Sequence, residues 1–165
     1  MQKHSPAERQ KQAPNQLCLE DQLCFPLYVC AKEVVRQYRK PLKPLGLTYT
    51  QYVVMMALWE YGGMTVGQLG KRVFLDSGTL TPLLKRLEKQ GLVRRTRPEA
   101  NERTLFISLT EAGEQLKAKA RQIPEAVQNC VQLSEDEVRV LKSLLDKAVI
   151  EMQGEKTEST IRPAQ

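Results

Sequence analysis

The sequence predicts a mainly α-helical domain with a small β-hairpin wing, and three observations carry that reading. Apolar residues recur at helical spacing in successive segments, most of them opened by a hydroxyl cap. Between Thr65 and Gly91 a short helix, a small-residue turn and a longer hydroxyl-headed helix follow one another, which is the pattern of a helix-turn-helix. Two alternating runs then flank the charged tip Pro98–Glu102, as the strands of an antiparallel hairpin do. A helix followed by a basic hairpin is the layout of a winged helix-turn-helix, with the helix in the major groove of duplex DNA and the wing on the neighbouring backbone or minor groove. The competing reading is a solvated helix packed on a hairpin.

Taken in order, residues 1–18 form a flexible leader rich in Gln, Lys and Pro. From Leu19 to Lys40 the residues Leu23, Leu27, Ala31, Val34, Val35 and Tyr38 mark a helix. Pro26 conflicts with an early start, because it has no N–H and crowds the preceding turn. The regular helix therefore either begins close to Cys24 or bends there, and Pro41 and Pro44 end it. Thr48 and Gln51 form a capping box for a helix carrying Val53, Val54, Met56, Ala57 and Trp59, closed by Gly62 and Gly63. Thr65 and Gln68 repeat the box for a short helix through Leu69 and Val73.

After the connection Leu75–Gly78 comes a helix with hydroxyls at Ser77, Thr79 and Thr81 and an apolar stripe at Leu80, Leu83, Leu84 and Leu87. Pro82 falls within its first turns, so a late start or slight bend is expected there, and Gly91 stops it. The hairpin strands are 92–97 and 104–109. Thr110 caps a helix running to about Gln122, which Pro124 interrupts or restarts. Ser134 and Glu137 box a last helix with Val138, Leu141, Leu144, Leu145, Ala148 and Val149. Residues 154–165 read as a flexible tail.

The chain has 165 residues and a formal net charge of +6, which suits one domain with terminal arms and favours a polyanionic partner. The excess is local: Lys71, Arg72, Lys85, Arg86, Lys89, Arg94, Arg95, Arg97 and Arg103 crowd the region of the helix-turn-helix and hairpin. Residues 1–16 lack the apolar core of a secretory signal, and no apolar run approaches the length of a membrane span. The expected location is cytoplasmic, with no membrane partner. There, four cysteines without a CxxC pair do not suggest a disulfide framework. The only histidine, His4, lies in the leader, so neither a metal site nor a cofactor is expected. Surplus apolar stripes at both ends favour a homodimer over helices that fold back on their own subunit. The expected organisation is thus a winged-helix domain over 19–153, with a DNA-binding lobe at 45–112 and dimerisation helices at 19–44 and 113–153. Duplex DNA suits that arrangement, since two recognition helices ~34 Å apart meet successive major grooves.

Three stretches carry a family resemblance: LCFPLY at Leu23 to Tyr28, LTYTQY at Leu47 to Tyr52, and FLDSGTLTPLLKRLEKQGLV at Phe74 to Val93. With the wing sequence NERTLFISLTEAG, they make the chain similar to the MarR family of winged-helix regulators, and more narrowly to its organic-hydroperoxide regulators, the OhrR group. The similarity spans about Leu19 to Leu145. The resemblance implies a transcriptional regulator, not an enzyme, whose partner is double-stranded operator DNA. It places Ser77, Thr79 and Thr81 at the major-groove edge, Lys85 and Arg86 on phosphates, Arg94 and Arg95 beside the backbone, and Arg103 in the minor groove. The family's wing usually reads Asp-Glu-Arg, whereas this chain has Asn101-Glu102-Arg103. The change removes a carboxylate that would orient nearby arginines and makes the wing more positive.

By the same resemblance Cys24 is the redox-sensing cysteine, Tyr28 and Tyr38 donate to it, and Cys130 lies near the position of a resolving cysteine in two-cysteine members. An organic hydroperoxide is the implied effector, acting on a repressor that binds DNA when reduced. The chemistry needs a thiolate, which N–H groups at a helix start would stabilise. Tyr28 lies one turn from Cys24. Tyr38 is ~21 Å along a straight helix and reaches that sulfur only from another subunit. The oxidised sulfur condenses with a second thiol; Cys30 faces roughly the opposite side of the helix, and Cys18 reaches only through a flexible leader. Capping by a small-molecule thiol is the other outcome. On spacing alone, a cysteine on an apolar helix is more often an inert filler. Three rival readings stand beside this one: a MarR-type repressor released by a small aromatic ligand near Tyr49, Tyr52 and Trp59, a thiol peroxidase, and a winged helix used for protein contacts. No recycling motif such as CxxC supports the peroxidase.

Overall fold

The computed structural model describes residues 17–97, 104–127 and 132–158. They divide into two compact units, one ending at Gln128 and one beginning at Asn129.

In the first unit a 3-10 turn at Leu19–Asp21 precedes helix α1, Cys24–Leu42. The regular helix thus starts at Cys24 rather than Leu19, which puts Pro26 in its first turn, where a missing N–H costs little. Pro41 does not end it: the helix runs one residue further, to Leu42, and a second 3-10 turn, Lys43–Leu45, closes on Gly46 at φ 65°. Helix α2, Tyr49–Tyr61, has the expected capping box, with the Gln51 N–H donating to the Thr48 hydroxyl and the Thr48 N–H donating to Gln51 Oε1 at 2.8 Å. Tyr52, Val54, Met55, Ala57 and Leu58 are all buried on it. A helix apolar on most sides belongs in a core. Met55 and Leu58, not Met56, face inward.

Strand β1, Met64–Thr65, is an element the sequence did not announce. It pairs antiparallel with β3 (Phe106–Leu109), which pairs with β2 (Val93–Thr96), so the sheet order is β1-β3-β2. Helix α3, Val66–Val73, opens on the Thr65–Gln68 box, and helix α4, Ser77–Lys89, follows a tight turn. The turn passes so close to α3 that a Cβ on Gly70 of that helix would lie 2.7 Å from the Leu75 carbonyl oxygen, and Phe74 takes the left-handed conformation at φ 55°. Pro82 is accommodated inside α4 without ending it. Leu80, Leu83, Leu84 and Leu87 of α4 enter the core beside Leu69, Val93 and Ile107.

Helix α5, Glu111–Ala120, is capped by Thr110, whose hydroxyl accepts from the Gly113 N–H and donates to the Gly91 carbonyl. The same residue's N–H donates to the Leu92 carbonyl at 3.1 Å. One threonine therefore ties α5 to the joint between α4 and β2. Helix α6, Ile123–Val127, restarts the chain with Pro124 at its second position and packs on α1.

The second unit contains helix α7, Glu135–Glu158. Ser134 and Glu137 box its start as expected, with Ser134 N–H and Oγ both 2.8 Å from Glu137 Oε2. The helix continues through Gly154, four residues beyond the point where the sequence reads as a tail. Val138, Leu141, Leu144, Leu145 and Val149 form an exposed apolar stripe along it. Among the described residues no helix is long and apolar enough to cross a membrane.

Candidate nucleic-acid interface and thiol site

Helix α4 presents two faces with different chemistry. Its leucines are buried, while Ser77, Thr79, Thr81, Lys85 and Arg86 are exposed. The helix begins on Asp76, whose Oδ1 accepts from the Thr79 N–H at 2.8 Å and whose Oδ2 accepts from the Thr79 hydroxyl at 3.1 Å. These bonds hold the Asp76 carboxyl below its usual range, the backbone N–H contributing most. The Thr81 hydroxyl donates to the Ser77 carbonyl at 2.7 Å. Asp76 reads in sequence as part of a connecting turn; its three-residue spacing to Thr79 was the available signal that it is the cap.

Behind this face the wing strand is braced. Arg95 Nε donates to Glu88 Oε2 at 2.7 Å, and the arginine side chain is only 21% exposed. Arg94, one residue before it on β2, is exposed. The two arginines assigned the same role in sequence therefore differ: Arg94 is open to a partner, whereas Arg95 joins β2 to α4. Arg103, the wing tip and Cys130 lie outside the described residues. The Arg72 guanidinium stacks 3.7 Å from the centre of the Tyr61 ring, a pairing that sequence spacing does not reveal.

At the other end of the unit, Cys24 is the first residue of α1 and is exposed. Tyr28, one turn on, is 63% exposed, with Lys32 Nζ 5.9 Å from its ring centre. The expected set of N–H donors around Cys24 is thinned. Phe25 N–H is committed to the Gln22 carbonyl at 3.3 Å, and Pro26 has none.

Tyr38 lies at the far end of the same helix, half-buried, with its ring 4.8 Å from Tyr49 and 6.0 Å from Tyr52. Tyr49 is thus Tyr38's immediate neighbour, a pairing missed in sequence because eleven positions and a turn separate them. Burial, then the neighbouring Tyr38 and Tyr49, push the Tyr52 hydroxyl's pKa up. Tyr52 also packs edge-on to Trp59 at 6.3 Å, and the Trp59 indole N–H donates to the Gly113 carbonyl at 2.9 Å. Tyr52 and Trp59 are therefore built into the fold. Tyr49 borders a cleft of about 520 Å³ that also holds Val35, Arg39 and Lys43.

A family model described as the transcriptional regulator SarA/Rot matches residues 37–120. The organic hydroperoxide resistance transcriptional regulator of Bacillus subtilis is 47% identical over 127 residues, covering 77% of this chain and 86% of that one. AbfR of Staphylococcus epidermidis, solved reduced and bound to DNA, superposes with a TM-score of 0.69 at 36% identity, covering 81% of this chain and 94% of that one. The overoxidised form of AbfR, also bound to DNA, gives 0.67 at 36% identity over the same shares. With a three-stranded sheet, a helix-turn-helix and this similarity over most of its length, the chain belongs to the MarR-type winged-helix transcriptional regulators, and within them to the organic-hydroperoxide OhrR group.

Proposed function

We propose that the chain is a cytoplasmic, homodimeric repressor that binds operator DNA when reduced and leaves it when an organic hydroperoxide oxidises Cys24. The observation that carries the reading is the exposure of Cys24 at the start of α1, with Tyr28 exposed one turn away. Two copies of α4 would enter successive major grooves, with Ser77, Thr79 and Thr81 at the base edges and Lys85 and Arg86 on phosphates. Arg94 and the wing's Arg103 would extend the contact, and Arg95 would hold the wing at its angle through Glu88. The apolar stripe of α7 and the exposed Leu23 and Leu27 of α1 support dimerisation, through residues 19–44 and 113–153. A second copy supplies the Tyr38–Tyr49 pair to Cys24, since one straight helix cannot bring Tyr38 back to it.

The chemistry balances without a cofactor. The Cys24 thiolate attacks one peroxide oxygen, the O–O bond breaks, and the alcohol leaves with a proton, giving a sulfenic acid. A second thiol, Cys130 or a small-molecule thiol, then attacks that sulfur and expels water as the disulfide forms. The AbfR form described as overoxidised was solved on DNA, which supports a division of labour: oxygen on the sulfur is not enough, and the disulfide step releases the operator. The chain's DNA-binding role, like that of its relatives, calls for no turnover.

The test titrates reduced protein onto its own upstream DNA and then adds an organic hydroperoxide with a thiol, with Cys24→Ser and Cys130→Ser alongside. Wild type is expected to dissociate while Cys24→Ser stays bound. Equal release of both would remove the thiol switch. It would favour the second reading, release by a small aromatic ligand, for which the cleft beside Tyr49 with its two cations is the supporting observation.

A further inference from the structure

The hydroxyl groups on α4 have a fixed polarity, and that polarity restricts which bases they read. A hydroxyl has one proton to donate and lone pairs to accept with, whereas a carboxylate and a backbone carbonyl only accept. In the 3.1 Å contact between Thr79 Oγ1 and Asp76 Oδ2, the threonine is therefore the donor. The same reasoning makes Thr81 the donor in its 2.7 Å contact with the Ser77 carbonyl. Both protons point back into the helix start. What these side chains offer outward is an acceptor oxygen and a methyl group.

Resting on the reading that α4 lies in the major groove, we infer that Asp76 is a positioning residue for operator specificity. By holding the Thr79 proton, it makes Thr79 select a base with an exocyclic amino group, adenine or cytosine, at one position of each half-site. In the major groove the donors are adenine N6 and cytosine N4; guanine O6 and N7 and thymine O4 are acceptors and meet the Thr79 oxygen lone pair to lone pair. Asp76 does this without touching DNA. Its Oδ1 is engaged by the Thr79 N–H at 2.8 Å, so the carboxylate is held by two bonds in one orientation.

The polarity can be reversed without removing the cap. In Asp76→Asn the amide oxygen still accepts from the Thr79 N–H, and asparagine caps helices as well as aspartate. The amide nitrogen then donates to Thr79 Oγ1 and frees the threonine proton for the groove. Reduced wild type, Asp76→Asn, Thr79→Val and the double variant are each used to select from a random-sequence duplex library, and their unfolding midpoints are measured in parallel. Wild type is expected to select adenine or cytosine at one position per half-site, and Thr79→Val to lose that preference. Asp76→Asn is expected to shift it to guanine or thymine by about tenfold, and the double variant to behave as Thr79→Val.

An Asp76→Asn protein that folds normally and keeps the wild-type preference overturns the inference. So does a shift that persists in the Thr79→Val background, which would mean that Asp76 itself contacts the base. Should Thr79→Val select the same sequences as wild type, the placement of Thr79 at a base edge fails, and the inference with it.

Discussion

Replacing Gly113 with alanine is the sharpest structural perturbation the fold suggests. A Cβ there would lie 2.1 Å from the Leu92 carbonyl oxygen and 3.1 Å from its carbon, with Leu109 Cδ2 at 3.2 Å. An ordinary contact needs roughly 3.2 Å, so α5 must retreat by about 1 Å from the start of β2, and the obstacle is backbone rather than a movable side chain. Retreat strains the Thr110 cap and the Trp59–Gly113 hydrogen bond together. Overpacking of this kind costs about 3 kcal/mol, and the better helix propensity of alanine returns about 1 kcal/mol. The net loss is about 2 kcal/mol, or roughly 4–8 °C in Tm. Gly67, in α3, is the control: nothing lies within 4 Å of its would-be Cβ, so Gly67→Ala should stabilise by about 0.5–1 kcal/mol. Urea unfolding followed by far-ultraviolet circular dichroism measures both. A Gly113→Ala protein at least as stable as wild type would refute the reasoning, as would the two changes shifting stability in the same direction.

Further predictions concern the interface and the helix caps. Arg94→Ala should reduce the slope of log binding constant against log salt by about 1, the signature of a lost phosphate contact, while Arg95→Ala should cost about 1 kcal/mol of stability by stranding Glu88; gel-shift titrations over a salt series and urea melts separate them. The Asp76 and Glu137 carboxyls, held below their usual range by hydrogen bonds accepted from Thr79 and Ser134 at the starts of their helices, contribute stability that is complete above the ordinary carboxylate range and lost as pH falls through their lowered folded values. Below about pH 4, Asp76→Asn and Glu137→Gln should each flatten the decline in stability; an unchanged acid profile would sever the caps from it.

The helices were legible in sequence because their start signals are local. Thr48 with Gln51, Thr65 with Gln68 and Ser134 with Glu137 each place two partners three residues apart, and Thr110 caps α5 over the same spacing. Strand β1 was not, because two residues leave no periodicity and its partner Ile107 is more than forty positions away. The leucine face of α4 could be counted from its spacing, but the commitment of Arg95 to Glu88 depends on how β2 returns across that helix. Tyr38 and Tyr49 meet only because the chain turns at Gly46 and packs α2 against α1. Pro26 was a sound guide, since the regular helix starts at Cys24 and places it in the first turn, whereas the late start that Pro82 suggested does not occur: α4 begins at Ser77 and carries Pro82 as its sixth residue.

The central claim joins one sulfur to one binding event, so the most direct measurement follows both in the same sample. Protein on its upstream DNA is titrated with an organic hydroperoxide in the presence of a thiol. The fraction bound is read by fluorescence anisotropy, and the state of Cys24 is read by mass spectrometry of the alkylated protein. DNA release should rise in proportion to Cys24 held in a disulfide, and adding a reductant should restore binding. Release while Cys24 remains a free thiol, or full binding with Cys24 in a disulfide, would contradict the account.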